Sequence, residues 1–304
     1  MKQDRISLCK CGSGLKYKHC HLKLESAKPD KKLQIAKMLY EKQWSNTSKF
    51  FFDKDYYKWM AKQLSNFDPQ KILDVGTGTG NGLIELYKEF HGNDIQIVGI
   101  DENIDCLKSA KANIYNKINI NPELIARISV EHDEILHSYS YREIKYNSKD
   151  KIVLVESDIL TEPCFDDIHK LSGYFDAITV WLIGTHEHRY ACYQLAGKIK
   201  SSGEYRLRVQ NKVYELADKV LKPGGVLQVV DRGEAPTSDF LKNDFLNAHK
   251  DQASVTDLQV QELNYIEYEE KSDGIRMELT PGLSGRVPEN PQRAFISVIS
   301  LKPK

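Results

Sequence analysis

The sequence predicts an α/β fold, in which a doubly wound, mostly parallel sheet carries an antiparallel closing strand and a small N-terminal segment is appended. Short apolar runs alternate along the 304-residue chain with amphipathic helical stretches, which is the pattern of βαβ units. The first run, Ile72–Val75, leads into four alternate glycines, Gly76, Gly78, Gly80 and Gly82, and then into a helical stripe. A strand that turns through glycines into a helix brings bare backbone close to a ligand, so this turn predicts a nucleotide-type site.

The following strands occur at the spacing that βαβ units require. Strand-like runs stand at Ile95–Ile100, Ile152–Val155, Phe175–Trp181 and Val226–Val230. The helix before the last run is marked by apolar positions at helical spacing, namely Val209, Val213, Leu216 and Val220. Residues 223–225, Pro-Gly-Gly, end that helix and lead into the last run.

The residues outside this pattern predict three further features. Residues 31–65 show apolar positions at helical spacing and predict helices ahead of the first strand. Residues 117–151 are longer than one helix and its return loop need, and Pro122 followed by apolar residues predicts an extra helix there. This insertion either shapes a substrate site or forms a surface loop. Strand-like runs at Leu263–Tyr268, Ile275–Leu279 and Ala294–Leu301 predict the antiparallel closing edge.

The glycine spacing restricts the class of ligand. A dinucleotide fingerprint would need its last glycine at position 81 or 83, where Asn81 and Leu83 stand, and a P-loop would need a Lys-Ser or Lys-Thr pair that this run lacks. The run Asp74-x-Gly-x-Gly-x-Gly instead resembles the first motif of the S-adenosylmethionine-dependent methyltransferases of the Rossmann-like class I. The later strand-like runs are similar to that family's further motifs and occur in the same order. The resemblance extends over roughly residues 50–304.

This resemblance implies S-adenosylmethionine as the cofactor and gives roles to residues at the sheet edge. The backbone of Gly76–Gly80 would hold the methionine end, Asp101 would accept the ribose hydroxyls, and Asp158 would pair with the adenine amino group. The implied cofactor-binding residues are Asp74, Gly76, Thr77, Gly78, Gly80, Asp101, Glu102, Asp158, Ile159 and Trp181. Taken alone, Asp101 also suits a helix N-cap and Asp158 also suits a solvated turn, and both alternatives stay open.

The methyl acceptor is expected beyond the end of the fourth strand-like run, in the segment Trp181–His188. Methyl transfer from a sulfonium is an in-line displacement, so the protein mainly positions the nucleophile, and a base is needed only when that nucleophile carries a proton. His186 is the first candidate for this base and Glu187 is the second. These residues also suit a polar helix cap, or a metal site formed with His188. The acceptor is a small molecule, a protein or RNA, and these residues do not distinguish among the three.

A second pattern stands near the N-terminus, where three of the six cysteines fall within 20 residues. The pattern C-x-C-x8-C-H is formed by Cys9, Cys11, Cys20 and His21. Three thiolates and one imidazole suit a closed, tetrahedral zinc site with a structural role. The segment closely resembles the SEC-C motif, the zinc tail of the secretion motor ATPase, with Lys10 where that family often has proline. His19 competes with His21 for the fourth position, and the resemblance favours His21.

These patterns divide the chain into three parts. Residues 1–23 form the zinc-binding segment, residues 24–49 form a linker and an N-terminal helix, and residues 50–304 form the methyltransferase-like domain. Residues 1–42 carry 11 Lys or Arg against four Asp or Glu, a net charge of +7 on a chain that is neutral as a whole. A basic segment suits an acidic or anionic partner, and the SEC-C resemblance implies a protein or ribosome contact. Solubility alone explains the charge equally well.

The composition favours a cytoplasmic protein with a full hydrophobic core. Hydrophobic residues make up 40% of the chain, and no signal peptide and no membrane span of ~18 uninterrupted apolar residues is expected. The scattered Cys106, Cys164 and Cys192 are expected to be buried thiols. Two function classes remain: a methyltransferase that a zinc-binding segment docks to an unidentified acceptor, or an S-adenosylmethionine-binding or scaffold adaptor without turnover. The glycine spacing opposes an NAD-dependent oxidoreductase.

Overall fold

The computed structural model describes residues 4–9, 15–92, 94–144, 150–169, 173–271 and 291–304. Its strands are β1 (Lys71–Val75), β2 (Gln96–Asp101), β3 (Glu123–Ile125), β4 (Ile128–His132), β5 (His137–Tyr141), β6 (Ile152–Glu156), β7 (Phe175–Trp181), β8 (Leu221–Glu234), β9 (Gln259–Glu267) and β10 (Arg293–Leu301). Eight of them form one sheet in the order β3-β6-β2-β1-β7-β8-β10-β9, and β4 pairs with β5 in a separate hairpin.

The direction of the strands confirms the predicted fold class. In the order of the sheet, every neighbouring pair from β3 through β6, β2, β1 and β7 to β8 runs parallel. Strand β10 is antiparallel to both β8 and β9 and closes the sheet as the sequence predicts. The protein is therefore an α/β fold with a mostly parallel, Rossmann-like sheet.

Helices cover both faces of this sheet. The described α-helices are α1 (His21–Glu25), α2 (Pro29–Asp53), α3 (Tyr56–Lys62), α4 (Asn81–Phe90), α5 (Ile104–Ile118), α6 (Ser202–Val220) and α7 (Asp239–Ala253). Alternate residues of β1 point to opposite faces, so that Ile72 packs in a core with α3, α4 and α5, whereas Leu73 packs in a core with α6. Because both faces are covered, the parallel strands read as nearly continuous apolar runs.

Capping side chains and a proline mark the starts of the helices that flank the site. Asn103 caps α5, since its side chain accepts a hydrogen bond from Asp105 N at 3.1 Å. Ser201 caps α6 in the same way, accepting from Glu204 N at 3.1 Å. Pro29 stands in the first turn of α2, where its missing N–H has no cost. A capping side chain of this kind contributes about 1 kcal/mol to helix stability.

The strand order reverses at β1, and this reversal places the site. Strand β1 pairs with β2 on one side and with β7 on the other. The chain therefore adds β2, β3 and β6 on the first side of β1, and then returns to add β7 and the later strands on the second side. In open α/β sheets the crevice at such a switch point, outside the carboxyl ends of the strands, is where ligands bind. The glycine run that follows β1 lies at this point.

The N-terminal helices are longer and more continuous than the sequence predicts. The polar residues 22–34 look like a linker, yet α1 and the first turns of α2 occupy most of them. Helix α2 also continues through position 49, the predicted end of the linker region. The reason is tertiary, because one side of α2 carries buried residues such as Leu33, Ala36 and Leu39 that the charged composition conceals.

The extra helix predicted within residues 117–151 is wrong. Residues 123–125 form β3, which extends the sheet by pairing with β6, and residues 128–141 form the β4–β5 hairpin. Pairing along the free edge of β6 satisfies the backbone of β3, and the alternate residues Tyr139 and Tyr141 pack on the core. A short apolar run after a proline does not distinguish such a strand from a helix.

Three other expectations have separate outcomes. The strand-like run Ile275–Leu279 lies outside the described residues. Cys106 and Cys192 are buried as expected, but the expectation for Cys164 is wrong, since it is exposed in a left-handed turn before a 3-10 helix. Within the described ranges, every helix is either too short or too polar to cross a bilayer.

Candidate active site

The glycine loop after β1 lies against the end of β2. Gly76 N and Thr77 N donate to the carbonyl oxygen of Ile100 at 2.9 and 3.0 Å. Gly76 and Gly78 have φ angles of +80° and +55°, which a residue with a side chain rarely adopts. A Cβ at Gly78 would stand 2.5 Å from Trp44 Nε1, so neighbouring side chains approach the bare backbone closely.

The carboxylate of Asp74 supports the glycine loop. This carboxylate is buried and accepts hydrogen bonds from Thr179 Oγ1 at 2.6 Å and from Thr77 Oγ1 at 2.9 Å. Burial raises the pKa of Asp74 to about 6, although both hydroxyl donors oppose the shift. Asp74 therefore orients the loop and does not line the cleft.

Asp101 joins the glycine loop to the start of α5. Its two carboxylate oxygens accept from Gly78 N and from Asn103 N, each at 2.8 Å. Burial and the neighbouring Glu102 raise the pKa of Asp101 to about 7, even though both backbone donors lower it. Each carboxylate oxygen has more than one acceptor position, so Asp101 can also accept from hydroxyls in the cleft.

Glu102 is the centre of a buried ionic cluster beside Asp101. Lys37 Nζ lies 2.9 Å from Glu102 Oε2 and donates to the Glu102 carbonyl oxygen at 2.6 Å. His186 Nε2 lies 3.1 Å from Glu102 Oε1. Burial disfavours the charged form, but Lys37 and then His186 outweigh it and hold the pKa of Glu102 well below its usual range.

Asp158, after β6, is bound from several sides. Leu160 N and Thr161 Oγ1 donate to its carboxylate at 3.0 and 2.6 Å, and the fully buried guanidinium of Arg189 forms an ion pair with it. The guanidinium carbon of Arg189 lies 5.4 Å from the Tyr139 ring centroid, within cation–π range. The alternative of a solvated turn does not hold, because Asp158 is buried.

These groups surround a cleft at the carboxyl ends of β1, β2, β6 and β7. Its empty volume, counted out to the open solvent, is about 590 Å³. The predicted cofactor-binding residues that line it are Gly76, Gly78, Asp101, Glu102, Asp158 and Ile159. Tyr40 and Trp44 of α2 cover it from one side, and Ile183 and Tyr205 from the other.

The remaining predicted residues lie behind or away from the cleft. Thr77 supports the loop through Asp74, and Gly80 ends the turn as the N-terminal cap of α4. Trp181 is buried in the core, where its Nε1 donates to Gln228 Oε1 at 3.0 Å and its ring packs on Gly82. His186 is buried against Glu102, and Glu187 is on the outer side of its loop.

Three residues of the site carry no recognisable sequence signal. Lys37 stands in a lysine-rich helix, Arg189 follows the polar run His-Glu-His, and Tyr205 belongs to the first turn of α6. Each is buried at 0–6% exposure, which only the packed structure shows. Lys37 pairs with Glu102 and Arg189 pairs with Asp158, both of which the sequence does predict, and Tyr205 lines the cleft.

The N-terminal cluster brings three predicted metal ligands together. His21 Nδ1 lies 3.0 Å from Cys9 Sγ and 3.3 Å from Cys20 Sγ, and the three ligand atoms lie within 4.8 Å of one another. Such spacings and this donor set fit a tetrahedral zinc ion. Cys11 lies outside the described residues, and His19 is exposed.

Two family models match the chain. One, described as a methyltransferase domain, matches residues 67–271, which is more than half of the chain. The other, described as the SEC-C motif, matches residues 7–23. No curated protein matches the chain.

Solved methyltransferase structures are similar to the chain at low identity. The N-methyltransferase NodS of Bradyrhizobium japonicum, in complex with S-adenosyl-L-homocysteine, is 11% identical over 83% of this chain and 88% of that one, with a TM-score of 0.43. The O-methyltransferase TomG of Streptomyces achromogenes, in complex with SAM, is 13% identical over 86% of this chain and 90% of that one, with a TM-score of 0.41. The assignment to a family rests on the family model and not on these similarities.

Proposed function

The chain belongs to the methyltransferase-domain family and is an S-adenosylmethionine-dependent methyltransferase, and we propose that its cleft binds this cofactor beside an acceptor held near the end of β7. The observation that carries the proposal is the contact between the glycine loop and Asp101. Gly78 N donates to the Asp101 carboxylate at 2.8 Å, so a bare backbone turn and a buried acceptor group face one cleft. This pairing suits a ligand with an amino-acid end and a ribose.

In the proposed arrangement each group has one task. The backbone of Gly76 and Gly78 approaches the methionine portion, Asp101 accepts the ribose hydroxyls, and Ile159 packs on the adenine. Asp158 accepts from the adenine amino group with an acceptor position that its protein partners leave open. S-adenosylmethionine supplies an activated methyl group, so this chain's residues bind, orient and exclude water.

The proposed proton acceptor is His186, and it acts with Glu102. The His186 ring is 1% exposed and lies 3.1 Å from Glu102 Oε1, and Glu102 lines the cleft. In this proposal the His186 imidazole, and not the Glu102 carboxylate, takes the proton that an acceptor in the cleft releases, and Glu102 stabilises the positive charge that the ring gains. Glu187 is not part of this proposal, because its carboxylate contacts His21.

Binding and transfer are tested separately. Calorimetry with S-adenosylmethionine, S-adenosylhomocysteine and NAD is expected to show binding of the first two and not the third. Incubation with methyl-labelled cofactor and fractionated cell extract is then expected to label one fraction and identify the acceptor class. Binding without any labelled fraction would favour the adaptor without turnover, and equal indifference to all three ligands would contradict the proposed site.

For the N-terminal segment, we propose that Cys9, Cys11, Cys20 and His21 hold a structural zinc ion. Three thiolates require a reducing compartment, which supports a cytoplasmic protein. Residues 1–23 would form the zinc-binding segment. The positive charge of residues 1–42 would attract an acidic protein or a ribosome. Helix α2 belongs with the catalytic body, since Lys37, Tyr40 and Trp44 reach its cleft.

A further inference from the structure

One contact joins the N-terminal cysteine cluster to the wall of the cleft. Glu187 begins the 3-10 turn Glu187–Ala191 that follows β7, and its Oε1 contacts Nε2 of His21. The other ring nitrogen, Nδ1, faces the sulfurs of Cys9 and Cys20 at 3.0 and 3.3 Å. The imidazole therefore lies between two thiols on one side and a carboxylate from the catalytic body on the other.

This arrangement gives the two ring nitrogens of His21 different chemical roles. An imidazole that binds a metal through Nδ1 carries its proton on Nε2, and a carboxylate that accepts that hydrogen bond fixes the tautomer and the ring orientation. We propose that Glu187 positions His21 as a zinc ligand through Nδ1 and thereby links the zinc site to the cofactor cleft. This inference rests on the zinc site proposed above and does not depend on which acceptor is methylated.

The link runs through one short segment. Gly184 and Thr185 line the cleft, His186 contacts Glu102, and Glu187 follows directly. Thr185 and His186 also line a second cavity, of about 320 Å³, whose opposite wall includes His21. A change in the position of His21 is therefore transmitted to the cleft wall over three residues.

The described part of the zinc segment also packs on the body through apolar residues. Cys9 and Cys20 share a small apolar cluster with Leu39 of α2, where Leu24 and Ile35 also pack. Apolar packing of this size does not fix the rotation of the His21 ring, whereas the Glu187 contact does. Zinc at the thiols should favour one position of the 184–187 wall, and by reciprocity a bound cofactor should strengthen zinc binding.

An ordinary surface ion pair is the competing explanation for this contact. The Glu187 side chain is 59% exposed and the His21 side chain 18%. Exposed pairs have little effect on stability, and a pair that does not position the His21 ring would leave zinc affinity unchanged. Measurements of zinc therefore separate the two roles.

The first experiment compares zinc affinity in the full chain. Competition with a chromophoric chelator is applied to the wild type, Glu187→Ala, Glu187→Gln and Glu25→Gln. Glu25 is the matched control, since it ends helix α1, which begins at His21, and its carboxylate contacts Tyr17 instead of His21. We expect Glu187→Ala to weaken zinc binding about 10- to 100-fold. Glu187→Gln should weaken it less, because the amide oxygen still accepts a hydrogen bond, and Glu25→Gln should not change it.

Two further readouts address the tautomer and the link. Nitrogen-15 spectra of the zinc-loaded chain should show His21 bound through Nδ1 with the proton on Nε2. S-adenosylhomocysteine should bind at least about fivefold more weakly to the zinc-stripped wild type than to the loaded protein, and this difference should shrink in Glu187→Ala. Circular dichroism checks that each variant is folded.

Each contrary result has a defined meaning. Equal zinc affinity in the wild type and Glu187→Ala, or binding of zinc through Nε2, would overturn the role of Glu187. Equal cofactor affinity with and without zinc would overturn the link to the cleft. If the wild type binds no zinc, this inference and the proposed zinc site fail together, while the labelled-methyl assay still tests methyl transfer.

Discussion

The carboxylate of Asp101 serves the loop and the cleft at once. The sequence offers two roles for it, a ribose contact or a helix N-cap. The structure gives the N-cap to Asn103, whose side chain accepts from Asp105 N at 3.1 Å. Asp101 instead accepts from the backbone of Gly78 and Asn103, and its remaining acceptor positions are open to a ligand.

Replacing Asp101 with asparagine should weaken cofactor binding without unfolding the chain. A hydrogen bond to a charged group contributes about 1.5–3 kcal/mol, which corresponds to a loss of about 10- to 100-fold in affinity. Calorimetry with S-adenosylhomocysteine measures the change. Asp105→Asn is the control, since that carboxylate pairs with Lys108 at the surface of α5. Unchanged affinity in Asp101→Asn would remove this residue from the site.

The affinity for S-adenosylhomocysteine should also depend on pH. Ribose hydroxyls donate hydrogen bonds, so they favour the ionised carboxylate of Asp101, whose pKa is raised to about 7. Affinity should therefore fall as pH falls from 8 to 6, by up to about tenfold, since each pKa unit corresponds to a tenfold change. Titrations at several pH values check this, and the slope should disappear in Asp101→Asn. A slope that persists in that variant would assign the titration to another group.

At the level of elements, helix α2 is the part of the site that the sequence conceals. Lys37, Tyr40 and Trp44 stand at helical spacing and share one face, which lies over the ends of β1 and β2. The sequence predicts a helix here from apolar positions at helical spacing. It does not show that Lys37 neutralises Glu102, because nothing distinguishes this lysine from its exposed neighbours until the helix packs.

Elements that carry their own apolar pattern could be predicted from the sequence. Elements whose structure depends on the strands with which they pair could not. The apolar runs of β1, β2, β6 and β7 fixed their bounds within about one residue, because buried parallel strands are continuous apolar segments. The β4–β5 hairpin escaped prediction, since its pairing partners and not its own pattern specify it. Trp181 lies at the end of a correctly predicted strand, but its ring turns into the core and not toward the cleft.

The packing of α7 predicts a specific response to acid. His249 on α7 is buried, with its Nδ1 3.0 Å from the hydroxyl of Tyr214 on α6. Burial lowers the pKa of His249 to about 4. The folded state then binds fewer protons than the unfolded state, so the stabilisation is complete above pH 6.5 and is lost as pH falls toward 4.

The test compares the wild type with His249→Gln, which cannot titrate. The difference between their free energies of unfolding, from urea titrations, should fall by about 2 kcal/mol between pH 7 and pH 5. A comparison of variants is needed because Asp74 and Asp101 have raised pKa values and act in the opposite direction. A pH-independent difference would show that His249 does not titrate as proposed.

On the scale of the whole molecule, the chain combines a catalytic body with a small N-terminal segment that matches the SEC-C motif. The body holds two apolar cores on opposite faces of one sheet, whereas Cys9 and Cys20 belong to a separate, small apolar cluster with Leu39 of α2. If the proposed zinc ion binds there, it would supply the folding energy of so small a segment. We expect the body to fold without that contribution.

Replacing Cys9 and Cys11 together with serine should therefore release zinc and leave the body folded. Metal analysis should show less than one zinc ion per chain, and the main thermal transition should persist in circular dichroism. Cys106→Ser is a control for the loss of a thiol outside the cluster. Loss of the main transition in the double variant would show that the N-terminal segment and the body fold as one unit.

The central claim is that the crevice at the strand-order reversal holds the cofactor. A crystal structure of the full chain with S-adenosylhomocysteine tests it most directly. We expect the ribose hydroxyls within hydrogen-bond distance of Asp101, the adenine beside Ile159, and the amino-acid end against Gly76 and Gly78. A ligand bound elsewhere, or a cleft that holds no ligand at a saturating concentration, would contradict the account.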